Sequence, residues 1–361
     1  MAPTAGHSTS TLRPEPCREL GRIVNFAVIG ADHLHLFQMV DRLVTAGATA
    51  VAHTPNGGLV ARYAGWRKES QERSADDILA DESIVLIVIA GVPSERANVA
   101  VAALQAGKHV LSDKPGVTSV AELDELRSAL DGRAGRPWTV LFSERFENRA
   151  IGEAIAMASA GAVGKIVHVV GAGPHLLSAK HRPSWFWDSS ATGGILVDIG
   201  SHQADQFLAV AVGAHGPSAV TKVRLAAVGN AACPDHPDMQ DIGTMTLVAN
   251  GIVGDHRLDY LTADGLGTWG DVRLTIVGTH GVIEARANVD VAGQPGSEHL
   301  IVVDAEGTRR VDVSDRPVDW AEQLLADIAD EGERLMSQAH VIAVCDLVLR
   351  AQQAATKWGE S

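Results

Sequence analysis

Three stretches of this sequence hold residue types able to move a proton or to hold an anion. The first, Gly107-Lys108-His109-Val110-Leu111-Ser112-Asp113-Lys114-Pro115-Gly116, brings a short apolar run to a lysine. If that run is a parallel strand, Lys114 stands at its C-terminal end, where open α/β sheets bind ligands. Pro115 restricts the backbone before it to extended conformations and so fixes where the ammonium points. The plain alternative is a surface charge. The second stretch, Gly193-Gly194-Ile195-Leu196-Val197-Asp198-Ile199-Gly200-Ser201-His202-Gln203-Ala204-Asp205, sets Asp198 and His202 four residues apart. A helix begun by Asp198 or Ser201 and running through Val212 puts both on one face. A carboxylate beside an imidazole orients the ring and tunes its basicity, which general acid–base catalysis requires. An isolated D-x-x-x-H spacing is more often a helix cap with a surface histidine.

The third stretch is a strand–turn–helix. There G-x-G-x-x-G would let the backbone meet a pyrophosphate at a helix N-terminus. The three glycine positions read Gly30, Asp32 and His35, so one glycine remains and Asp32 brings negative charge towards any phosphate. Taken alone this is a poor fingerprint, and a purely structural turn explains it better than a dinucleotide site does. The next strand ends on His53, followed by Thr54, where an acid would normally bind an adenosine ribose. An imidazole can exchange hydrogen bonds with ribose hydroxyls, and the lack of Arg or Lys beside it favours NAD over NADP. Between the motifs runs a loop with His175, His181, Arg182, Trp185, Phe186, Trp187 and Asp188. Trp and Phe can cover the C–H face of a pyranose while His, Arg and Asp take its hydroxyls; anchoring of the loop is the other explanation. His33, His35, His175, His181 and His202 match no metal-ligand spacing, and no metal is expected.

These residues need elements to position them. Ile23–Ile29, Ala48–Ala52, Ser83–Ala90, His109–Leu111 and Thr139–Phe142 read as strands. Helical stretches lie between them: one through Thr45, then Leu59–Lys68, Ser94–Ala106, and Val120–Leu130 capped by Thr118. The run through Ala90 has no polar alternation past Ser83, as suits the middle of a parallel sheet. This rhythm predicts a doubly wound Rossmann domain. After a helix near Arg149–Ala160, strands dominate: Ile166–Val170, Ala219–Val228, Asp241–Val248, Ile252–Leu261, Val272–Val277, Val282–Ala287 and His299–Val303. Asn250-Gly251 signals a hairpin. The end, Trp320 to Trp358, reads as helical. The expected fold class is α/β plus α+β: an N-terminal Rossmann sheet and a C-terminal domain with a large, open, mostly antiparallel sheet. Expected bounds are a flexible tail over 1–21, a dinucleotide-binding domain over 22–143, a substrate and oligomerisation domain over 144–318, and C-terminal helices over 319–361 that pack back on the first domain.

Taken together, A-G-K-H-V-L-S-D-K-P and, about eighty residues on, G-G-x-x-x-D-x-G-S-H-x-x-D resemble the Gfo/Idh/MocA family, the glucose–fructose oxidoreductase and inositol dehydrogenase group. The resemblance runs from about Arg22 to the C-terminus. It includes Arg145-Phe146, Gly164-Lys165-Ile166-Val167-His168-Val169 and Arg273-Leu274-Thr275-Ile276-Val277-Gly278-Thr279-His280-Gly281. It implies NAD or NADP as cofactor, with Lys114, Asp198 and His202 facing nicotinamide and substrate. Candidate cofactor contacts are Gly30, Asp32, His33, His53, Ala90, Val92, Pro93, Asp113 and Lys114. Candidate substrate contacts are Arg145, His175, Arg182, Trp185, Trp187, Asp198 and His202. The sequence departs from the family at the glycines, at His53, at Asp113 (the family has Glu) and at Val92-Pro93-Ser94-Glu95-Arg96, which replaces T-P-x-x-x-H.

Composition narrows the classes. With 361 residues the chain exceeds one ordinary core. A formal charge of −14 without any Lys/Arg-rich run gives no footprint for nucleic acid. No apolar run reaches the ~20 residues of a membrane span, and the three scattered cysteines suggest neither disulfides nor a thiolate metal site. A cytoplasmic protein is expected. The expected activity is hydride transfer between a sugar, inositol or polyol hydroxyl and a nicotinamide, with His202 as proton acceptor, Lys114 steadying the alkoxide, and Asp198 binding a neighbouring hydroxyl or orienting His202. Two rivals stand beside it: a glycoside-processing enzyme that recycles bound NAD, and a non-catalytic ligand sensor on the same fold. The strand-rich half has too few helices to cover its sheet, and the resembling family associates through that sheet, so a homodimer or homotetramer is expected.

Overall fold

The computed structural model describes residues 23–132, 137–213, 220–289 and 293–358. The expected N-terminal tail, with Cys17, lies outside them. The first half forms a parallel six-stranded sheet in the order β3-β2-β1-β4-β5-β6. Its strands are β1 (Asn25–Ala31), β2 (Thr49–His53), β3 (Gln71–Glu72), β4 (Leu86–Ala90), β5 (His109–Asp113) and β6 (Trp138–Leu141). β4, Leu-Ile-Val-Ile-Ala, is buried at every position, as a central strand covered on both faces must be. The run is shorter than its apolar stretch suggests: Ile84 is buried ahead of the strand, and pairing with β1 begins at Leu86.

The crossovers carry α1 (His35–Thr45), α2 (Val60–Trp66), α3 (Ala75–Ala80), α4 (Pro93–Gln105) and α5 (Val120–Leu130). α5 is capped by Ser119, not by Thr118. Ser119 Oγ accepts from the Glu122 amide while the Glu122 carboxylate accepts from the Ser119 amide. This reciprocal pair satisfies two donors at once. Thr118 instead donates its hydroxyl to Glu122.

α6 (Ser143–Phe146) and α7 (Arg149–Ser159) lead into a nine-stranded mixed sheet ordered β14-β13-β12-β11-β7-β10-β9-β8-β15. Its strands are β7 (Ile166–Pro174), β8 (Thr221–Gly229), β9 (Ile242–Ala249), β10 (Ile252–Asp259), β11 (Arg273–Gly278), β12 (Gly281–Arg286), β13 (His299–Asp304), β14 (Gly307–Val311) and β15 (Thr356–Lys357). Pairing is antiparallel except β7 with β10 and β8 with β15. β7 runs on past Val170 to Pro174 because β10 pairs with it throughout. The β9–β10 turn is Asn250-Gly251, both residues at positive φ, the conformation a two-residue hairpin demands.

Between β7 and β8 lie α8 (Ser189–Thr192), α9 (Ile195–Asp198) and α10 (Gly200–Ala211). The C-terminal segment is two helices, α11 (Trp320–Asp330) and α12 (Gln338–Ala354). It ends as strand β15, within the stretch expected to be helical, because Thr356 and Lys357 find β8 at the sheet edge. α12 touches α5 and β6 of the first domain and α9, α10 and β8 of the second. It therefore holds the two sheets in one relation.

Candidate active site

β1, β4 and β5 end side by side, and the order reverses between β1 and β4, the point at which such sheets leave a crevice. The second domain closes that crevice into a cavity of about 670 Å³. From the first half it is lined by His33, His35, Pro93, Arg96, Lys114 and Glu144, and from the second by His175, Arg182, Trp185, Asp198, His202 and Tyr260.

Lys114 follows β5, and its Nζ donates to Asp198 Oδ1 at 2.8 Å. The Tyr260 hydroxyl donates to Asp198 Oδ2 at 2.6 Å. Burial opposes ionisation of Asp198, but the Lys114 ammonium and the two hydrogen bonds outweigh it and hold the group well below the usual carboxylate range. His202 lies on the first turn of α10, buried, and its Nδ1 has no hydrogen-bond partner among the described residues. Burial, then the Lys114 ammonium, pushes its pKa well below the ordinary value. The imidazole is therefore neutral and ready to accept a proton. Both of Asp198's oxygens are occupied by Lys114 and Tyr260, so the expectation that Asp198 orients His202 is not met.

α10 explains the precision of this wall. Eleven of its twelve residues are buried, the polar Gln203, Asp205 and Gln206 among them. Gln203 and Gln206 donate to Glu144 Oε2 at 3.0 and 3.1 Å. Asp205 accepts two bonds from Arg145, each 2.7 Å, and one from His340 Nε2 at 2.8 Å. Arg145, expected to bind substrate, is thus consumed by a buried bidentate pair. Glu144, which no motif marked, takes its place in the cavity wall.

Beneath the crevice, Asp113 is fully buried. Its Oδ2 meets His33 Nδ1 and its Oδ1 meets His35 Nδ1, each at 2.8 Å. The Lys114 amide and Arg96 Nη2 complete its shell at 2.8 and 3.4 Å. Asp113 therefore acts on any ligand only through these neighbours. Burial lowers His33 to about 4, so its ring is neutral. The three groups have metal-like spacing, within 4.8 Å of one another. Each imidazole already spends its Nδ1 on the carboxylate and Arg96 balances the charge, so we assign no ion there.

Other expected contacts divide. His175, Arg182 and Trp185 line the cavity. Arg182 stacks 4.2 Å from the Phe186 ring centroid and donates to the carbonyls of Leu177 and Leu176. Trp187 does not line the cavity; it stacks on His236 with centroids 3.9 Å apart. Asp188 caps α8 rather than facing a ligand. His53 is buried, its Nδ1 2.9 Å from Ser70 Oγ and its ring edge against Tyr63, so its Nδ1 is already engaged within the first domain. The Ala90 carbonyl accepts the Asp32 and His33 amides at 2.8 and 3.0 Å, and Val92 caps α4 ahead of Pro93.

Whether these residues fit a nicotinamide dinucleotide depends on the end considered. The reactive end fits: the cavity places a neutral imidazole, an ammonium and a carboxylate beside the start of α1. Gly30 keeps the tight turn, for a Cβ there would stand 2.8 Å from the Gly91 Cα. At the other end the β2–α2 turn lies over the β1–α1 turn. Gly58 donates to Asp32 Oδ1 at 2.7 Å and Leu59 to the Ala31 carbonyl at 2.8 Å. At this end Asp32, bonded to the turn, stands where a dinucleotide fingerprint has its second glycine.

Comparison with known proteins agrees with this architecture. Residues 24–139 match the model of the oxidoreductase family with NAD-binding Rossmann fold, and residues 151–284 match the GFO/IDH/MocA C-terminal domain. An oxidoreductase of known structure from Erwinia carotovora atroseptica SCRI1043 is 33% identical, with a TM-score of 0.87 over 92% of this chain and 99% of that one. Levoglucosan dehydrogenase, solved with NADH and levoglucosan, shares the fold at 21% identity and a TM-score of 0.72, over 92% of this chain and 98% of that one. An uncharacterized oxidoreductase of Schizosaccharomyces pombe is 29% identical over 161 residues, 40% of this chain and 42% of that protein. The match thus spans about two fifths of that curated relative's length. The chain belongs to the Gfo/Idh/MocA family of oxidoreductases, whose N-terminal domain is an NAD-binding Rossmann fold.

Proposed function

We propose that the protein interconverts a secondary hydroxyl and a ketone on a sugar, inositol or related polyol. The observation that carries this reading is the meeting of Lys114, Asp198, Tyr260 and His202 on one cavity wall. A bound NAD or NADP supplies the hydride acceptor. His202, held neutral, takes the proton of the reacting hydroxyl. Lys114, anchored through Asp198, presents a fixed positive charge to the oxygen as it becomes alkoxide, and so lowers the barrier without rearranging. Tyr260 keeps Asp198 in place from the other side. Arg182, Trp185 and His175 give the cavity the mixture of rings and donors that a pyranose or cyclitol needs. The dehydrogenase bound to levoglucosan supports the substrate class.

The test is direct. Mass spectrometry and fluorescence of the purified protein report retained cofactor. A panel of pyranosides and inositols is then followed at the absorbance of reduced nicotinamide. Reduction of cofactor by at least one polyol is expected; a silent panel with both NAD and NADP would overturn the reading.

A further inference from the structure

Glu144 is a carboxyl group that this mechanism leaves unused. It sits on α6, with its side chain 3% exposed, and lines the substrate cavity. Oε2 accepts the two glutamine amides of α10. Among the described residues Oε1 has no hydrogen-bond partner, and His175 Nε2 lies 3.6 Å away. A buried polar atom left without a partner is costly, and the residue that carries it lines the cavity.

We propose that Glu144 is a second proton-transfer residue, which exchanges the hydrogen on the carbon next to the carbonyl of the bound ketone. The proposal rests on the reading that the cavity holds such a ketone. In the step, the C–H bond beside the carbonyl breaks and the Glu144 carboxylate takes the proton. The C–H electron pair becomes the C=C bond of an enolate, and the carbonyl pair moves to oxygen, steadied by the Lys114 ammonium. Return of a proton from Glu144 restores the ketone, so no oxidant or reductant is consumed. The consequence is an activity beyond alcohol oxidation: α-hydrogen exchange, and with it the chemistry that epimerises a keto-sugar or expels a group β to its carbonyl.

Electrostatics suits the task. Burial pushes Glu144 up to about 8, against the pull of Lys114 and the bonds from Gln206 and Gln203, with Asp205 adding to the rise. His175, lowered to about 3 by burial and then by Lys114, faces it as a neutral ring. Near neutral pH Glu144 thus samples both forms, as a group that both takes and returns protons must.

The experiment supplies the ketone directly and needs no hydride transfer. The 2-keto form of myo-inositol and methyl 3-keto-α-glucopyranoside are incubated with the protein in D2O, with and without NAD, and deuterium at the neighbouring carbons is read by mass spectrometry. Incorporation well above enzyme-free buffer is expected, rising with pH through a midpoint near 8 to a plateau above it, and falling ~10²-fold or more in Glu144→Gln. Exchange no faster than buffer, exchange retained in a folded Glu144→Gln, or a pH profile without a group near 8 would each overturn the proposal; the profile needs only the native protein. Reduced-nicotinamide formation from the corresponding alcohols reports the parent reading separately.

Discussion

Each side chain of the site owes its state to a neighbour distant in sequence, and that sets both what the site does and what could be read in advance. Lys114→Ala removes the charge that keeps Asp198 ionised in a buried site, and His202→Ala removes the proton acceptor. Each substitution is expected to lower kcat by ~10²–10⁴-fold with folding intact; a full-rate variant of either kind would reject its role. Glu144 yields a stability prediction. Its folded pKa, about 8, lies above its ordinary 4.5, so the folded protein binds the extra proton between those values. Stability from this group is fully present below about 4.5 and is lost as pH rises through 8, with a slope of up to ~1.4 kcal/mol per pH unit. Chemical denaturation across pH 5 to 9 should show that slope in the native protein and not in Glu144→Gln; equal slopes would contradict it. Lys114, Asp198 and His202 were legible because local motifs carry them. Glu144 and Tyr260 were not, because only the folding of α6 against α10, and the pairing of β7 with β10, bring them to the cavity. Arg145 was misread for the same reason: its partner Asp205 lies sixty residues away.

At the level of elements, periodicity located nearly every strand and long helix, since a two-residue or a 3.6-residue alternation is a local property. Edges and caps were harder. Ser119 displaced Thr118 as the cap of α5, and β15 replaced the expected helical end, because hydrogen-bond geometry and a free sheet edge decide such choices. The β2–α2 turn is the element with the clearest functional consequence. Its backbone is tied to the β1–α1 turn through Gly58 to Asp32 and Leu59 to Ala31. Gly57 makes the close approach possible: at a φ of +119°, an added Cβ would stand 2.4 Å from the Ala31 carbonyl oxygen. Asp32→Ala removes one tie together with a negative charge near the expected pyrophosphate. A unit charge at about 4 Å in a solvated setting is worth ~1 kcal/mol, so the dissociation constants for NAD and NADP should fall by roughly five- to tenfold. Calorimetric titration checks this, and weaker or unchanged binding would show that the turn is no barrier.

For the whole molecule, the cavity exists because two sheets meet at a fixed angle, and the staples across that join are specific. Gln338 Oε1 accepts from the Trp138 amide, Arg127 pairs with Asp346, and Glu147 gathers Arg42 and the Trp320 indole. Among the described residues, helices cover the large sheet on one face, where α7, α9, α10 and α12 pack. β9 shows the asymmetry: Gly243, Met245, Leu247 and Ala249 are buried, while Ile242, Thr244, Thr246 and Val248 are partly open. On that second face Val170 and Val303 are 41% and 42% exposed. The same face carries a polar network, His168 to Asp255 and Thr246 to Asp255, at 2.8 and 2.6 Å. A broad, partly apolar sheet face with a few ordered polar groups suits an isologous contact, in which the same patch meets itself across a two-fold axis. The C-terminal helices do not cover it, since α12 lies on the opposite face, against α10. A homodimer or a dimer of dimers is therefore expected by light scattering at micromolar concentration, and Val170→Glu combined with Val303→Glu should shift it towards single chains by placing unpaired like charges in the contact. A native protein that scatters with the mass of one chain would sink the prediction, and the valines would then be ordinary surface residues.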